Sequence, residues 1–220
     1  MWERQNETWC RVLMDPGICH VGVRELVLTD ENYDLLEKKA HICGYYIVSG
    51  ALTCQDMKLG KDTMIWFTGG NRFPVKTQEA PRVILIETEQ PLKTQDPVFQ
   101  VFEEERIPWS RDLKEGITAS RHMIRPEEFG VKVQTCIYTR NFRHERHSHS
   151  TAHGFYVLEG MLAYQTGDRE RQILGPGEFA MSLAGEQMLH EPARGSWCRY
   201  LFIGDGLFDF LVDGVDQYNK

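Results

Sequence analysis

The 220-residue chain has no apolar run approaching the roughly 18 residues a bilayer-crossing helix needs. Its first residues, MWERQNETWCRVLMD, lack the basic segment and apolar stretch of a secretory signal. The six cysteines, Cys10, Cys19, Cys43, Cys54, Cys136 and Cys198, form no CxxC pair. The expectation is reduced thiols in a cytoplasmic protein. Positive charge is in deficit: 25 Lys and Arg stand against 32 Asp and Glu, a net −7, with a pI near 5.6. That balance argues against nucleic acid or an anionic membrane as the main partner and leaves small polar ligands. Helical periodicity is also scarce, being confined to Asn32–Lys39 and the tail Leu207–Tyr218.

What is present is ordinary globular material, 41% hydrophobic and 26% charged, long enough to bury a core without disulfide staples. Short strands broken by Gly, Pro, Asn and Asp read at Gly44–Val48, Thr63–Phe67, Arg82–Glu87, Val131–Thr139, Gly154–Leu158, Arg171–Leu174 and Arg199–Ile203. Val131, Val133, Thr135, Ile137 and Thr139 alternate with Lys132, Gln134, Cys136 and Tyr138, as in a half-buried strand. Many short strands at this spacing predict an all-β sandwich or barrel.

The chain also repeats itself. Cys43–Asp56 aligns with His153–Thr166 at a constant offset, pairing Gly44 with Gly154, Tyr46 with Tyr156, Gly50 with Gly160, Leu52 with Leu162 and Gln55 with Gln165. Leu59-Gly60 then matches Leu174-Gly175, and the strand from Arg82 matches that from Arg199. Ordered matches with drifting offsets indicate duplicated β-domains with unequal loops. The join falls in the polar stretch Glu89–Ser110, which divides the chain into 1–95 and 96–220. Its charge run Glu103-Glu104-Glu105-Arg106 reads as solvated surface.

Chemistry concentrates in one place. His144, His147, His149 and His153 fall within ten residues. On a strand, His147 and His149 at i and i+2 point to one side, and Ser150-Thr151-Ala152 can turn the chain so that His153 joins them. His190, beyond the tight turn Gly175-Pro176-Gly177-Glu178, can return on a neighbouring strand as a fourth ligand. Neutral imidazole suits Zn, Fe, Mn, Ni or Cu. The competing reading is a surface histidine tract. His144 has the wrong parity for the inner face and reads as surface; His20, His41 and His122 read as structural. Glu159 shares the parity of His153 and is a candidate general base, unless it is simply solvated at a strand end. Tyr138 and Cys136 can line the pocket, and Arg199 reads as an outer-face residue.

These residues resemble the cupin family. His147-Ser148-His149 corresponds to that family's His-x-His, His153 stands where its Glu is expected, Gly160 closes the first motif, and Asn141 replaces the opening glycine. Gly177, Leu183, Gly185 and His190 resemble the second motif, with His190 two residues late and no Asn after it. The resemblance covers about 120–205 and, through the repeat, about 40–90, which implies a bicupin of two jelly-roll-like β-barrels with few short helices. The first copy has His41, Cys43 and Val75 at the ligand positions, implying a metal-free scaffold. The second copy looks like ureidoglycine aminohydrolase-type bicupins. In those proteins the first ligand is Glu and the last Gln, where this chain has His147 and His190, and a substrate-facing tyrosine corresponds to Tyr164.

The resemblance therefore implies a divalent transition metal, Fe, Mn, Zn or Ni, on His147, His149, His153 and His190. It implies a catalytic role for Tyr164, beside the general base that parity offers at Glu159, and a homodimer paired through strands. An all-imidazole set leaves the cation its full charge. Lewis-acid or activated-water chemistry on a small anionic substrate follows (aminohydrolase, lyase or isomerase), with Fe(II) dioxygenation or non-catalytic ligand binding as alternatives.

Overall fold

A computed structural model describes residues 1–5, 8–29, 32–35, 42–68, 73–88, 99–111, 118–125, 129–206 and 209–216. The chain divides into two compact units, Met1–Ile107 and Pro108–Lys220. The first unit holds β1 (Glu3–Gln5), β2 (Thr8–Met14), β3 (Val21–Leu28), β4 (Asn32–Leu35), β5 (Ile42–Cys54), β6 (Met57–Leu59), β7 (Thr63–Thr68), β8 (Phe73–Thr88) and β9 (Phe99–Glu103). They form a nine-stranded antiparallel sheet in the order β1-β2-β3-β8-β5-β7-β9, with β4 on β8 and β6 on β5. Because β9 pairs with β7, the first unit extends beyond residue 95.

The second unit holds β10 (Ser110–Arg111), β11 (Thr118–Ile124), β12 (Val131–Tyr138), β13 (His153–Gly160), β14 (Leu162–Thr166), β15 (Gln172–Leu174), β16 (Phe179–Ser182), β17 (Met188–Pro192), β18 (Cys198–Asp205), β19 (Leu211–Val212) and β20 (Val215–Asp216). A six-stranded sheet runs β10-β11-β12-β18-β13-β16, a three-stranded sheet runs β15-β14-β17, and β19-β20 is a hairpin. The protein is all-β. Among the described residues no helix is long and apolar enough to cross a membrane. The six cysteines are buried and form no disulfide.

The strand readings hold, and the glycines shared by the repeat have a common physical cause. An added Cβ at Gly44 would sit 2.3 Å from the Trp66 ring of β7, and one at Gly154 would sit 2.2 Å from the Phe179 ring of β16. Each glycine is the seat of an aromatic side chain from the adjoining strand. Gly50 and Gly160 have φ of 76° and 73°, a left-handed conformation that costs a side chain energy. Gly50 lies where its ladder shifts register, and Gly160 lies just past such a shift, opposite Cys198. The pairings also coincide. Leu52 faces Leu59 as Leu162 faces Leu174, and Ser49 faces Arg82 as Glu159 faces Arg199.

Four expectations are corrected. Asn32–Leu35 is a strand on β8 rather than the start of a helix; residues 36–40 lie outside the described residues. The tail is also not helical where it is described. Asp213 (φ 49°) and Gly214 (φ 77°) make a two-residue turn joining Val212 to Val215, the combination that favours a hairpin. The run Glu103–Arg106 is not wholly solvated. Glu104 is buried and accepts a hydrogen bond from the Tyr46 hydroxyl at 3.0 Å, while Glu103 and Arg106 pair outside at 2.9 Å. Finally, β12 is buried on both sides: Gln134, Cys136 and Tyr138 lie inside as well as Val131 and Val133. The second side belongs to the apolar cluster with Phe155, Leu162, Tyr164, Met188, Tyr200 and Phe202.

Candidate metal centre

The His-x-His segment is held extended by its neighbours. His147 exchanges backbone hydrogen bonds with Met188 of β17 at 3.1 and 2.8 Å, and Ser148 exchanges a pair with Leu211 of β19, both at 2.9 Å. Alternation then sends Ser148 one way and both histidines the other. His153 opens β13, and His190 lies within β17 opposite Tyr164. His147, His149, His153 and His190 are all buried, none more than 4% exposed.

Their rings form a connected set. Centroids lie 4.9 Å apart for His147 and His190, 5.0 Å for His147 and His149, and 4.4 Å for His149 and His153. Phe155, Phe202 and Phe210 pack against them. Phe155 lies 4.5 Å from His190, Phe202 5.4 Å from His153, and Phe210 4.3 Å from His147. These rings keep water from the imidazoles.

The hydrogen bonds fix which nitrogen carries a proton. His147 Nδ1 lies 2.8 Å from the Glu145 carbonyl, His153 Nδ1 lies 3.2 Å from the Thr151 carbonyl, and His149 Nδ1 meets the Asp209 carbonyl. A carbonyl only accepts, so each Nδ1 donates and each Nε2 keeps its lone pair. Asp209 adds its carboxylate 3.9 Å from His149 Nδ1 and receives the Ser150 amide at 2.7 Å. This is the carboxylate–imidazole support that metal-ligating histidines use.

His190 Nδ1 lies 2.8 Å from the Tyr138 hydroxyl, and its Nε2 lies 3.1 Å from His147 Nε2. Since His147 Nε2 has no proton, that contact needs either a proton on His190 Nε2 or a cation between the two. Two nitrogens bound to one ion at about 2.1 Å stand roughly 3.0–3.4 Å apart, so the spacing fits a shared ion. His153 Nε2 faces the Met188 sulfur at 3.2 Å, so it does not point at the His147–His190 pair.

Burial holds all four imidazoles neutral. It pushes His147 down to about 2, with His144 the next contributor, His149 to about 4 and His153 to about 3. His190 lies well below the usual 6.5, for burial first and His144 second. At neutral pH no imidazolium must lose a proton before a cation enters.

His144 departs from the sequence reading. It is half-buried, not surface, and its donor atoms lie within 4.8 Å of those of His147 and His190. Its ring stacks on His147 at 4.3 Å. Parity counted back from His147 fails because residues 143–146 are not in a strand, the pairing beginning only at His147. Tyr138 lines the site, as its face of β12 allowed.

The two residues expected to be catalytic are otherwise engaged. The Tyr164 hydroxyl donates to the Met181 carbonyl at 2.7 Å and lies 2.7 Å from Ser182 Oγ, and burial pushes its pKa up to about 12. Glu159 pairs with the buried Arg199 guanidinium at 2.9 Å with 39% of its side chain exposed, so Arg199 is not an outer-face surface residue. Asp209 and Phe210 escaped the sequence reading altogether. They lie in the stretch read as helical, and no motif marks them.

In the first unit, register places Val75 opposite Cys54 as His190 stands opposite Tyr164. Val75 and Cys43 are buried in an apolar cluster. His41 lies outside the described residues.

The chain matches no known protein-family model and no curated protein. Solved structures do resemble it. A protein from Pseudomonas aeruginosa named as glyoxylate-induced shares 16% identity and a TM-score of 0.76, over 93% of this chain and 84% of that one. A cupin 2 conserved barrel domain protein from Leptotrichia buccalis shares 15% and 0.67, over 92% and 91%. Lactobacillus farciminis oxalate decarboxylase, solved with formate, shares 8% and 0.69, over 97% and 86%. The fold is therefore that of cupin proteins, and its second unit carries buried histidines placed to hold a divalent metal.

Proposed function

We propose that the chain is a bicupin whose second copy is a metal-dependent enzyme acting on a small anionic molecule and whose first copy is a metal-free scaffold. The observation that carries this is the cluster of buried, neutral imidazoles, three of which, His147, His149 and His153, give their Nδ1 protons to backbone carbonyls and keep an Nε2 lone pair, with His190 Nε2 3.1 Å from that of His147. His147, His149, His153 and His190 would hold one divalent transition metal, for which His153 Nε2 would have to turn away from the Met188 sulfur it now faces. When bound, such a cation supplies Lewis acidity or an activated water to an oxygen donor.

The chain's own residues do the rest. Asp209 orients His149, Tyr138 holds the proton at His190 Nδ1, and Phe155, Phe202 and Phe210 exclude water, which strengthens attraction for an anion. None of the four imidazoles brings negative charge, so a small carboxylate suits the site. The fold it shares with oxalate decarboxylase is in keeping with that substrate class, and a Lewis-acid site suits a lyase, aminohydrolase or isomerase reaction, with Fe(II) dioxygenation as the redox alternative. Glu159 and Tyr164 are the proton carriers that the sequence pattern offers.

One observation favours a second reading, a cupin that binds its ligand without turning it over. Glu159 would have to leave Arg199, and Tyr164 would have to leave Met181 and Ser182, before either could move a proton. The test is to load the purified protein with each metal in turn and offer a panel of small carboxylates, following product and oxygen together. Turnover without oxygen uptake, lost in His149→Ala, is expected. Oxygen uptake selects the dioxygenase, and ligand binding without product selects the binding protein.

A further inference from the structure

We propose that His144 is an additional metal donor. Its imidazole enters the coordination sphere of the ion held by His147 and His190, and an incoming anion displaces it. The proposal rests on the metal reading above and adds to it a residue that closes the resting site.

Distance is the first support. An imidazole bound at about 2.1 Å has its ring centre about 3.2 Å from the ion, so adjacent ligands have centres roughly 4.5–5.2 Å apart. His147 to His190 is 4.9 Å and His147 to His149 is 5.0 Å. His144 to His190, at 4.8 Å, falls in the same band, and His144 to His147, at 4.3 Å, lies just below it. By donor atoms, His144, His147 and His190 are the three that come within 4.8 Å of one another. A ring serving only as a wall has no need to bring its nitrogens this close.

Placement is the second. The ladder that fixes the histidine segment begins at His147, which bridges Met188. His144 precedes it and is half-buried, where the other four rings are buried. It can therefore swing without breaking the ladder. Its ring leans on Phe142 at 5.1 Å and Phe210 at 5.0 Å, an apolar seat that defines one inward position. A donor outside the paired ladder and partly open to solvent is suited to exchange. The chemistry recognised is that of any small anion with an oxygen or nitrogen donor.

The test uses the full chain loaded with Co(II) and titrated with azide. Wild type is compared with His144→Ala and with His144→Phe, which keeps the ring's packing and removes its nitrogens. One Co(II) per chain is expected in all three. Both variants should show stronger visible cobalt absorption, as the coordination number falls. If His144 fills its position about nine-tenths of the time, azide binds the variants about tenfold more tightly. One Co(II) per chain with unchanged absorption and azide affinity in both variants overturns the proposal alone. Failure of wild type to bind stoichiometric Co(II) overturns the metal reading and this proposal with it.

Discussion

Cys43 and His153 stand at the same place in two copies of one pattern, near the start of β5 and of β13, and the interiors of the copies differ in chemistry. Both copies keep the glycine beneath an aromatic ring, the left-handed glycine, and the leucine pair across the hairpin. In the first copy Cys43, Tyr45, Ile47, Val75 and Leu85 fill the interior as an apolar cluster. In the second, His153 and His190 take the places of Cys43 and Val75 among Phe155, Phe202 and Tyr138. The lesson is that a shared frame specifies the fold, while a few interior positions decide whether the cavity is filled with hydrocarbon or lined with ligands.

Exchanging those positions breaks the comparison most sharply. His190→Val places the first copy's residue in the second. It should reduce divalent metal affinity at least a hundredfold while leaving a folded, dry pocket, measured by metal titration and circular dichroism. Next is acid. The unfolded chain takes up protons on these histidines near 6.5, but the folded chain holds them neutral to about 4, 3 and 2 for His149, His153 and His147. Stability is therefore complete above pH 6.5 and lost as pH falls toward those values, on the order of 1 kcal/mol per buried imidazole per pH unit. Urea titrations of metal-free protein at pH 7.5 and 5.5 should show the loss in the second unit, whose histidines are buried, and much less in the first.

Gly44→Ala and Gly154→Ala should each cost about 1–3 kcal/mol, since each methyl strikes a ring that cannot leave a packed sheet. Thermal unfolding with and without metal checks that both copies respond, whichever holds the ion. The smallest effect is at Asp209. Asp209→Asn should weaken metal binding roughly tenfold by removing the carboxylate beside His149, without altering the fold.

Much of this was legible in the order of residues. Alternation at Val131–Tyr138, the repeated glycines and the His147–His149 spacing each encode one local geometry, and each is observed. The full burial of β12 was not legible, because Gln134 and Cys136 are polar or ambiguous and only neighbouring strands decide what covers them. His144 was misplaced because parity applies along a strand, and strand pairing begins only at His147. The tail from Leu207 to Tyr218 was misread because its helical spacing is outweighed by the Asp213-Gly214 turn. Asp209 and Phe210 reach the histidines through tertiary pairing of Leu211 with Ser148, which no local pattern announces.

The most direct measurement is the number of tightly held divalent ions per chain in protein purified without added metal, for wild type beside His190→Val. One ion per chain in wild type, and none in the variant, is expected. No ion in wild type, or an ion count that His190→Val leaves unchanged, would contradict a metal centre built from these imidazoles.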